Sequence, residues 1–150
     1  MPLQLDVVSV EGRVFCADDV DMVIVPGSEG VMGILPRHEP VITSLRPGAL
    51  EVVRGGEREV IAIGGGYVEV RASQVVVMAD AAERADHIDV ARAEEARNRA
   101  RRRLEEAPGE MDAEGALASL RRAEVRLQVA RRARRRRRRD APPAPAGPDS

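Results

Sequence analysis

Eight guanidinium groups crowd nine positions near the end of this chain, at Arg131, Arg132 and Arg134 to Arg139. On a helix such a run complements the C-terminal dipole; as a charge cluster it would attract DNA, RNA or an acidic protein surface. No aromatic residue lies in the second half of the sequence to stack bases, which argues against specific single-strand recognition and leaves nonspecific duplex binding open. Gly64-Gly65-Gly66 suggests a phosphate-cradling loop, but Tyr67-Val68-Glu69-Val70 continues as a strand rather than opening a helix. With no Lys-Ser/Thr pair following either, a strand-to-strand turn is the better reading. His38 and His87 have no adjacent nucleophile or second ligand, and none of the 25 acids stands out as a catalytic pair. Catalysis and metal binding therefore find little support. A last candidate is the thirteen-residue stretch Ser28–Pro40. Two glycines three apart permit tight turns, and Pro36 and Pro40 fix φ on either side of a charged tip. It reads as a rigid β-loop presenting Glu29, Arg37, His38 and Glu39.

These candidates sit on two unlike halves. From Leu3 to Ala79 the chain alternates like short strands: Leu3-Gln4-Leu5-Asp6-Val7 is half-buried in pattern, and Val20 to Val25 and Val75 to Ala79 are rich in β-branched residues. Turns are expected at Pro26-Gly27, Pro47-Gly48, Arg54-Gly55-Gly56-Glu57 and the glycine triplet, which points to a β-sandwich or flattened barrel over residues 1–84. After Asp86 the period becomes helical. Asp86 or Asp89 would cap a first helix carrying Ala93, Ala96, Ala100, Leu104 and Ala107 on one stripe. Pro108-Gly109 breaks it, and Asp112 would cap a second helix whose inner face is Leu117, Leu120, Ala123, Leu127 and Ala130. Residues 85–139 thus make an antiparallel helical hairpin, shallow because it is built on alanine, and 140–150 read as a disordered tail. The expected class is mainly β plus α.

Charge divides the chain at the same place. Residues 1–83 carry 6 Arg against 13 acids, a net −7, whereas 84–150 carry 18 Arg against 12 acids, a net +6, so the halves suit different partners. All 24 basic residues are Arg, and Phe15 and Tyr67 are the only aromatics, so the core must come from Val, Ile, Leu, Met and Ala. Cys16 alone allows no internal disulfide and suggests a reducing compartment. No signal peptide or membrane-length apolar run is visible, so a soluble protein is expected, reaching a membrane only through partners.

The order of residues in Ser28-Glu29-Gly30-Val31-Met32-Gly33-Ile34-Leu35-Pro36-Arg37-His38-Glu39-Pro40 resembles the G-E-L-G-I-L-P-G-H-A-P segment of the epsilon subunit of F-type ATP synthases. Arg37 stands where Gly is usual and Glu39 where Ala is usual. The glycine triplet and Tyr67-Val68-Glu69-Val70 are similar to that family's G-G-F-x-E-V segment. Ile88-Asp89-Val90-Ala91-Arg92-Ala93 is similar to the I/L-D-x-x-R-A motif tied to ATP binding in some bacterial members, with Glu94 where Lys often follows. The resemblance spans roughly residues 3–130. It implies a non-catalytic central-stalk subunit that couples rotation and restrains ATP hydrolysis through its helices, in a complex on the cytoplasmic face of the bacterial membrane. Its implied partners are the gamma subunit, the ring of membrane c subunits, and the alpha and beta subunits, where the basic helices would face an acidic beta segment. The loop with Glu29, Arg37, His38 and Glu39 would lie at the rotor end. No cofactor is required, but ATP is implied as a regulatory ligand, with Glu83, Ile88, Asp89, Arg92, Arg99, Arg122 and Arg126 as its contacts. The spacing suits that role, since Arg92 and Arg99 share a helix face and so do Arg122 and Arg126. Two alternatives follow from the residues alone. An Arg-rich nucleic-acid-associated protein would bind duplex with a steep salt dependence. A stand-alone enzyme would need a pocket of converging titratable groups.

Overall fold

The computed structural model describes residues 1–106, 109–140, 143 and 147. Eight strands come first: β1 (Leu3–Ser9), β2 (Gly12–Val20), β3 (Met22–Gly27), β4 (Gly30–Ile34), β5 (Val41–Arg54), β6 (Glu57–Arg71), β7 (Gln74–Ala79) and β8 (Ala82–Arg84). A single 3-10 turn, Ala85–His87, leads to α1 (Val90–Glu106) and α2 (Glu110–Asp140). The strands form one sheet in the order β2-β1-β7-β6-β5-β3-β4, with β8 beside β6, folded on itself as a β-sandwich. All neighbours are antiparallel except β1 and β7. The β-sandwich and helical hairpin expected from the sequence are both present.

The long β5–β6 pair is the spine. Gly55 and Gly56, at φ +57° and +79°, make its two-residue turn, which needs both central residues left-handed. One register then holds from Arg54↔Glu57 to Val41↔Val70, passing over Arg46 and Gly65. At that level β6 exchanges its other neighbour: Ile61–Ile63 pair with β8, and Gly66–Arg71 pair with β7. The glycine triplet is therefore not a turn between strands but a bend inside one. Gly65 and Gly66 take φ +103° and +133°, and a Cβ on Gly66 would stand 2.1 Å from the Met78 carbonyl oxygen. Pro26-Gly27 and Pro47-Gly48 likewise lie within β3 and β5, not at turns. Val20 to Val25 is two strands. Asp21 parts them, its N–H donating to the Val53 carbonyl at 2.8 Å and its carboxylate accepting the Gly55 N–H at 2.9 Å.

Alternation decides what each face does. Leu3, Leu5 and Val7 of β1 are fully buried between the layers with Leu50, Val52, Ile61, Ile63, Val75 and Val77. β6 breaks the alternation: Val60, Ile61, Ala62 and Ile63 are all buried in succession. Ile61 and Ile63 face the sandwich core, while Val60 and Ala62 join a second, smaller cluster with Ala85 and Val129 of α2. Ala49, Ile88, Val125 and Ala133 pack around that cluster.

The helices meet through Ala93 and Ala100 on α1 and through Ala116, Ala123, Leu127 and Ala130 on α2, all buried. Leu117, expected inside, is 37% exposed, and Ala116 takes the inner place. The reason is that α2 serves two neighbours, α1 and the sheet, so its apolar stripe is wider than one helix contact requires. Asp89 caps α1, its Oδ1 accepting the Arg92 N–H at 3.1 Å. Asp86 belongs to the 3-10 turn before the helix. Asp112 lies inside α2, which begins at Glu110. Ala107, Pro108 and most of the expected tail lie outside the described residues, and α2 itself continues to Asp140.

Two substitutions test the backbone. Gly66→Ala should lower unfolding stability by about 3 kcal/mol or more through the clash and the φ penalty, whereas Gly33→Ala, facing open space, should stay within about 0.5 kcal/mol. Arg37 sits at φ +66°, so Arg37→Gly should raise stability by up to about 1 kcal/mol in urea unfolding.

Candidate functional site

The seven residues implied as nucleotide contacts fall into two groups and two separate positions. Glu83 of β8 and Arg126 of α2 form a bidentate pair, Nε to Oε2 at 2.7 Å and Nη2 to Oε1 at 3.2 Å. Both line a cleft of about 400 Å³, which Arg122 also borders. Its walls are the β1–β2 turn at Ser9–Glu11, the β6 bend at Gly64, the Asp80–Ala81 link and the sheet-facing side of α2 at Val125. Asp89 and Arg92 form the second group at the start of α1, where the guanidinium Nε lies 3.8 Å from the capping carboxylate. Arg99 lies two turns further along α1, exposed. Ile88 has a packing role, closing the small cluster beneath α2. The hairpin therefore gathers Glu83, Arg122 and Arg126 at one cleft and leaves Ile88, Asp89, Arg92 and Arg99 outside its lining. Arg122 also donates from Nη2 to Ser119 Oγ at 3.1 Å.

Chemically the cleft holds the acids Glu11, Asp80 and Glu83 against two guanidiniums. It can accept a polar ligand at the Arg side, but a phosphate approaching Arg126 competes with Glu83. The Glu83–Arg126 fork also fixes α2 to the sandwich. One further contact acts the same way: Arg132 Nη1 is 3.7 Å from Glu51 Oε1, while the other oxygen of Glu51 lies 3.6 Å from Arg58 Nη1 within the sheet.

Ser28–Pro40 is a hairpin and an exit turn rather than one loop. Gly27 pairs with Gly30 across a two-residue tip of Ser28 and Glu29, and β4 then runs to Ile34. Glu29 is thus separated from Arg37, His38 and Glu39 by the length of β4, about 15 Å at the usual rise per residue. The Ser28 and Ser44 hydroxyls bond to each other, and Arg46 Nε donates to the Gly27 carbonyl at 3.3 Å, so the tip is tied to β5. At the other end the His38 N–H donates to the Leu35 carbonyl at 3.2 Å, and Nδ1 lies 2.8 Å from the Glu39 carbonyl oxygen. Left-handed Arg37 occupies the position where the resembling motif has glycine.

Sequence reasoning missed an apolar patch on the outer face of the sheet. Tyr67 lies directly opposite Ser44 on β5 and Met78 on β7, with Ile42 diagonal to it. Ile42 is 69%, Tyr67 57% and Met78 42% exposed. The available signal was Tyr67, one of two aromatics in the chain, at an outward position of a strand whose alternate residues Val68 and Val70 are buried.

Catalytic chemistry gains nothing from the geometry. Among the described residues no group of three or more His, Cys, Asp or Glu converges as a metal site. Cys16 is exposed, and the Asp6 carboxylate beside it raises the thiol pKa, the wrong direction for a nucleophile. No described helix is long and apolar enough to cross a membrane.

Comparison with known proteins agrees with this architecture. Residues 2–85 match the model of the ATP synthase delta/epsilon chain β-sandwich domain, and residues 86–131 match that of the family's long α-helix domain. The ATP synthase epsilon chain of Herpetosiphon aurantiacus is 49% identical over 131 residues, covering 87% of this chain and 96% of that one. The epsilon chain of Chloroflexus aggregans is 48% identical over 131 residues, with 87% and 94% covered. A chain in the structure of Euglena gracilis mitochondrial ATP synthase (OSCP, F1 and c-ring) superimposes with a TM-score of 0.73 at 26% identity, covering 86% of this chain and 81% of that one. Matched along both modules by the family models, and at nearly half identity by bacterial epsilon chains, this chain belongs to the epsilon chains of the ATP synthase delta/epsilon family.

Proposed function

We propose that this chain is a non-catalytic subunit of the rotating central stalk in a proton-translocating F-type ATP synthase, and that its helices restrain ATP hydrolysis when they leave the sandwich. The observation that carries the proposal is the way α2 is held. Its contact with the sandwich is a small apolar cluster, Val129 on Val60, Ala62 and Ala85 with Val125 and Ala133 at its edge, plus the Glu83–Arg126 fork and the Arg132–Glu51 pair. Each valine contributes about 1.5–3 kcal/mol on full burial, and a partly exposed ion pair about 1 kcal/mol or less. The sandwich has its own larger core, built entirely from strands. An element held so lightly on a self-sufficient support can dock and undock without unfolding it.

In this reading the sandwich meets the gamma subunit and the ring of c subunits. The turn at Glu29, the exit at Arg37–Glu39 and the patch of Ile42, Tyr67 and Met78 supply its contacts. Undocked helices would meet the alpha and beta subunits, with Arg131 to Arg139 facing acidic beta surface. The complex would sit peripherally on the cytoplasmic face of the bacterial membrane. ATP would act as a regulatory ligand of the folded hairpin. Glu83 and Asp89 would take its sugar and base end, and Arg92, Arg99, Arg122 and Arg126 its phosphates, where guanidinium forks suit phosphate oxygens. A ligand specific to the docked state shifts the population away from inhibition.

In the assembled enzyme, deletion of residues 87–150 should raise ATP hydrolysis while residues 1–86 stay bound to gamma; unchanged hydrolysis would refute an inhibitory role. Glu83→Gln and Val129→Ala should do the reverse, lowering hydrolysis by favouring the undocked helices. A loss of about 1 kcal/mol corresponds to about a fivefold shift in that equilibrium. Calorimetry on the whole chain checks the ligand: Arg92→Ala and Arg126→Ala should each weaken ATP binding about tenfold, and Arg13→Ala should leave it unchanged. Equal binding by all four proteins would remove the nucleotide site.

A further inference from the structure

The seam between α1 and α2 has two flanks, and the nucleotide reading uses only one. The other flank is a second cavity of about 440 Å³, bordered by Arg97 and Arg101 of α1 and by Arg131, Arg132 and Arg135 of α2, with Glu124 as its one acid. Arg101 lies two residues beyond Arg99, hence about 160° round the helix from it, so the flanks do not share these side chains. Arg97 with Arg101, and Arg131 with Arg135, are each four apart and aligned along the groove. Leu127 and Gln128 complete its lining.

Two observations point to an anion as the ligand this groove suits. Among the described residues, Arg97, Arg101, Arg131 and Arg135 have no carboxylate within ion-pair distance; Arg132 reaches Glu51 with one nitrogen at 3.7 Å. Moreover, Arg97 Nε is buried and has no hydrogen-bond partner. A buried donor attached to a cation is expensive to leave unmade, and gathering five guanidiniums about one carboxylate adds mutual repulsion. The larger cavity between α2 and the β5–β6 turn also holds a buried donor without a partner, Arg136 Nη1, but there three acids, Glu57, Glu59 and Asp86, line the wall with the arginines and offset their charge.

We infer that this outer groove binds a short phosphate chain of the pyrophosphate or triphosphate class, clamping α1 to α2. Guanidinium forks from both helices match successive phosphates in a way that a single point charge does not. No aromatic side chain borders the groove to hold a base, so recognition is of the chain alone, whether as inorganic triphosphate or as the tail of a nucleotide. A bound chain would relieve the repulsion and satisfy Arg97 Nε. It would therefore stabilise the closed hairpin independently of the Glu83–Arg126 cleft.

The test titrates the full-length chain with sodium triphosphate and, separately, with ATP, by calorimetry at about 0.15 M salt, alongside helix melting by circular dichroism. Arg97→Gln with Arg131→Gln should weaken triphosphate binding about tenfold or more, whereas Arg13→Gln on the sandwich should change it less than about twofold. The first pair should also raise the melting temperature of the unliganded hairpin, because repulsion is removed, and abolish the rise caused by triphosphate. That opposite pair of signs separates lost recognition from lost folding. At the groove itself ATP should bind no more than about threefold tighter than triphosphate. No saturable triphosphate binding by about 1 mM, or undiminished binding by the Arg97/Arg131 variant, would overturn the inference. Failure of ATP binding at the cleft with triphosphate binding intact would refute the nucleotide reading alone.

Discussion

The rest of the structure depends on four consecutive buried residues, Val60-Ile61-Ala62-Ile63. A strand with water on one side alternates; this one cannot, because both of its faces are apolar. Ile61 and Ile63 close the sandwich, so Val60 and Ala62 must be covered from outside, and α2 covers them. The side chains involved are small. Burial of two valines and a few alanines gives a contact of a few kcal/mol, well short of what holds the two layers together. The docked hairpin thus rests on a small apolar contact, whereas the sandwich keeps a larger core of its own.

Charge adds selectivity to that weak apolar contact. The sandwich is acidic and the hairpin basic, and their contact is made at the Glu83–Arg126 and Glu51–Arg132 pairs. These pairs are partly exposed, so their contribution is modest and falls with salt. Their geometric role is larger: the bidentate fork sets the azimuth of α2 on β8, which in turn decides which arginines line the inner cleft and which line the outer groove. Alanine on both sides of the α1–α2 seam lets the helices approach closely, leaving long arginines to build the flanks. Substitution of an inner alanine by a larger residue would therefore move both sets of arginines together.

Much of this was legible in the sequence, for physical reasons. Leu3 to Val7 alternates because one side faces the core, and Gly55-Gly56 reads as a turn because few other residues tolerate two successive left-handed conformations. The glycine triplet misled for the same reason: glycine permits positive φ, but sequence does not say whether that freedom is used to reverse a strand or to bend it. Gly66 serves close approach to the Met78 carbonyl, a contact made only once β7 has paired. Leu117 was misplaced because helical periodicity alone cannot distinguish the side of α2 facing α1 from the side facing the sheet. The Glu83–Arg126 partnership joins residues 43 apart, and neither spacing nor charge pattern could have selected it from so many acids and arginines. Motif resemblance found both residues, but as ligand contacts rather than as partners of each other.

Native-state hydrogen exchange on the full chain tests the central claim, that the hairpin undocks from a sandwich that stays folded. Amides of α1 and of α2 from Val125 to Arg132 should exchange through an opening of lower free energy than amides of β1, β6 and β7. Val129→Ala should lower the protection of the helices while leaving those strands unchanged. If helices and strands exchange with one common free energy, and Val129→Ala lowers both equally, the hairpin is an inseparable part of a single cooperative fold and the account is wrong.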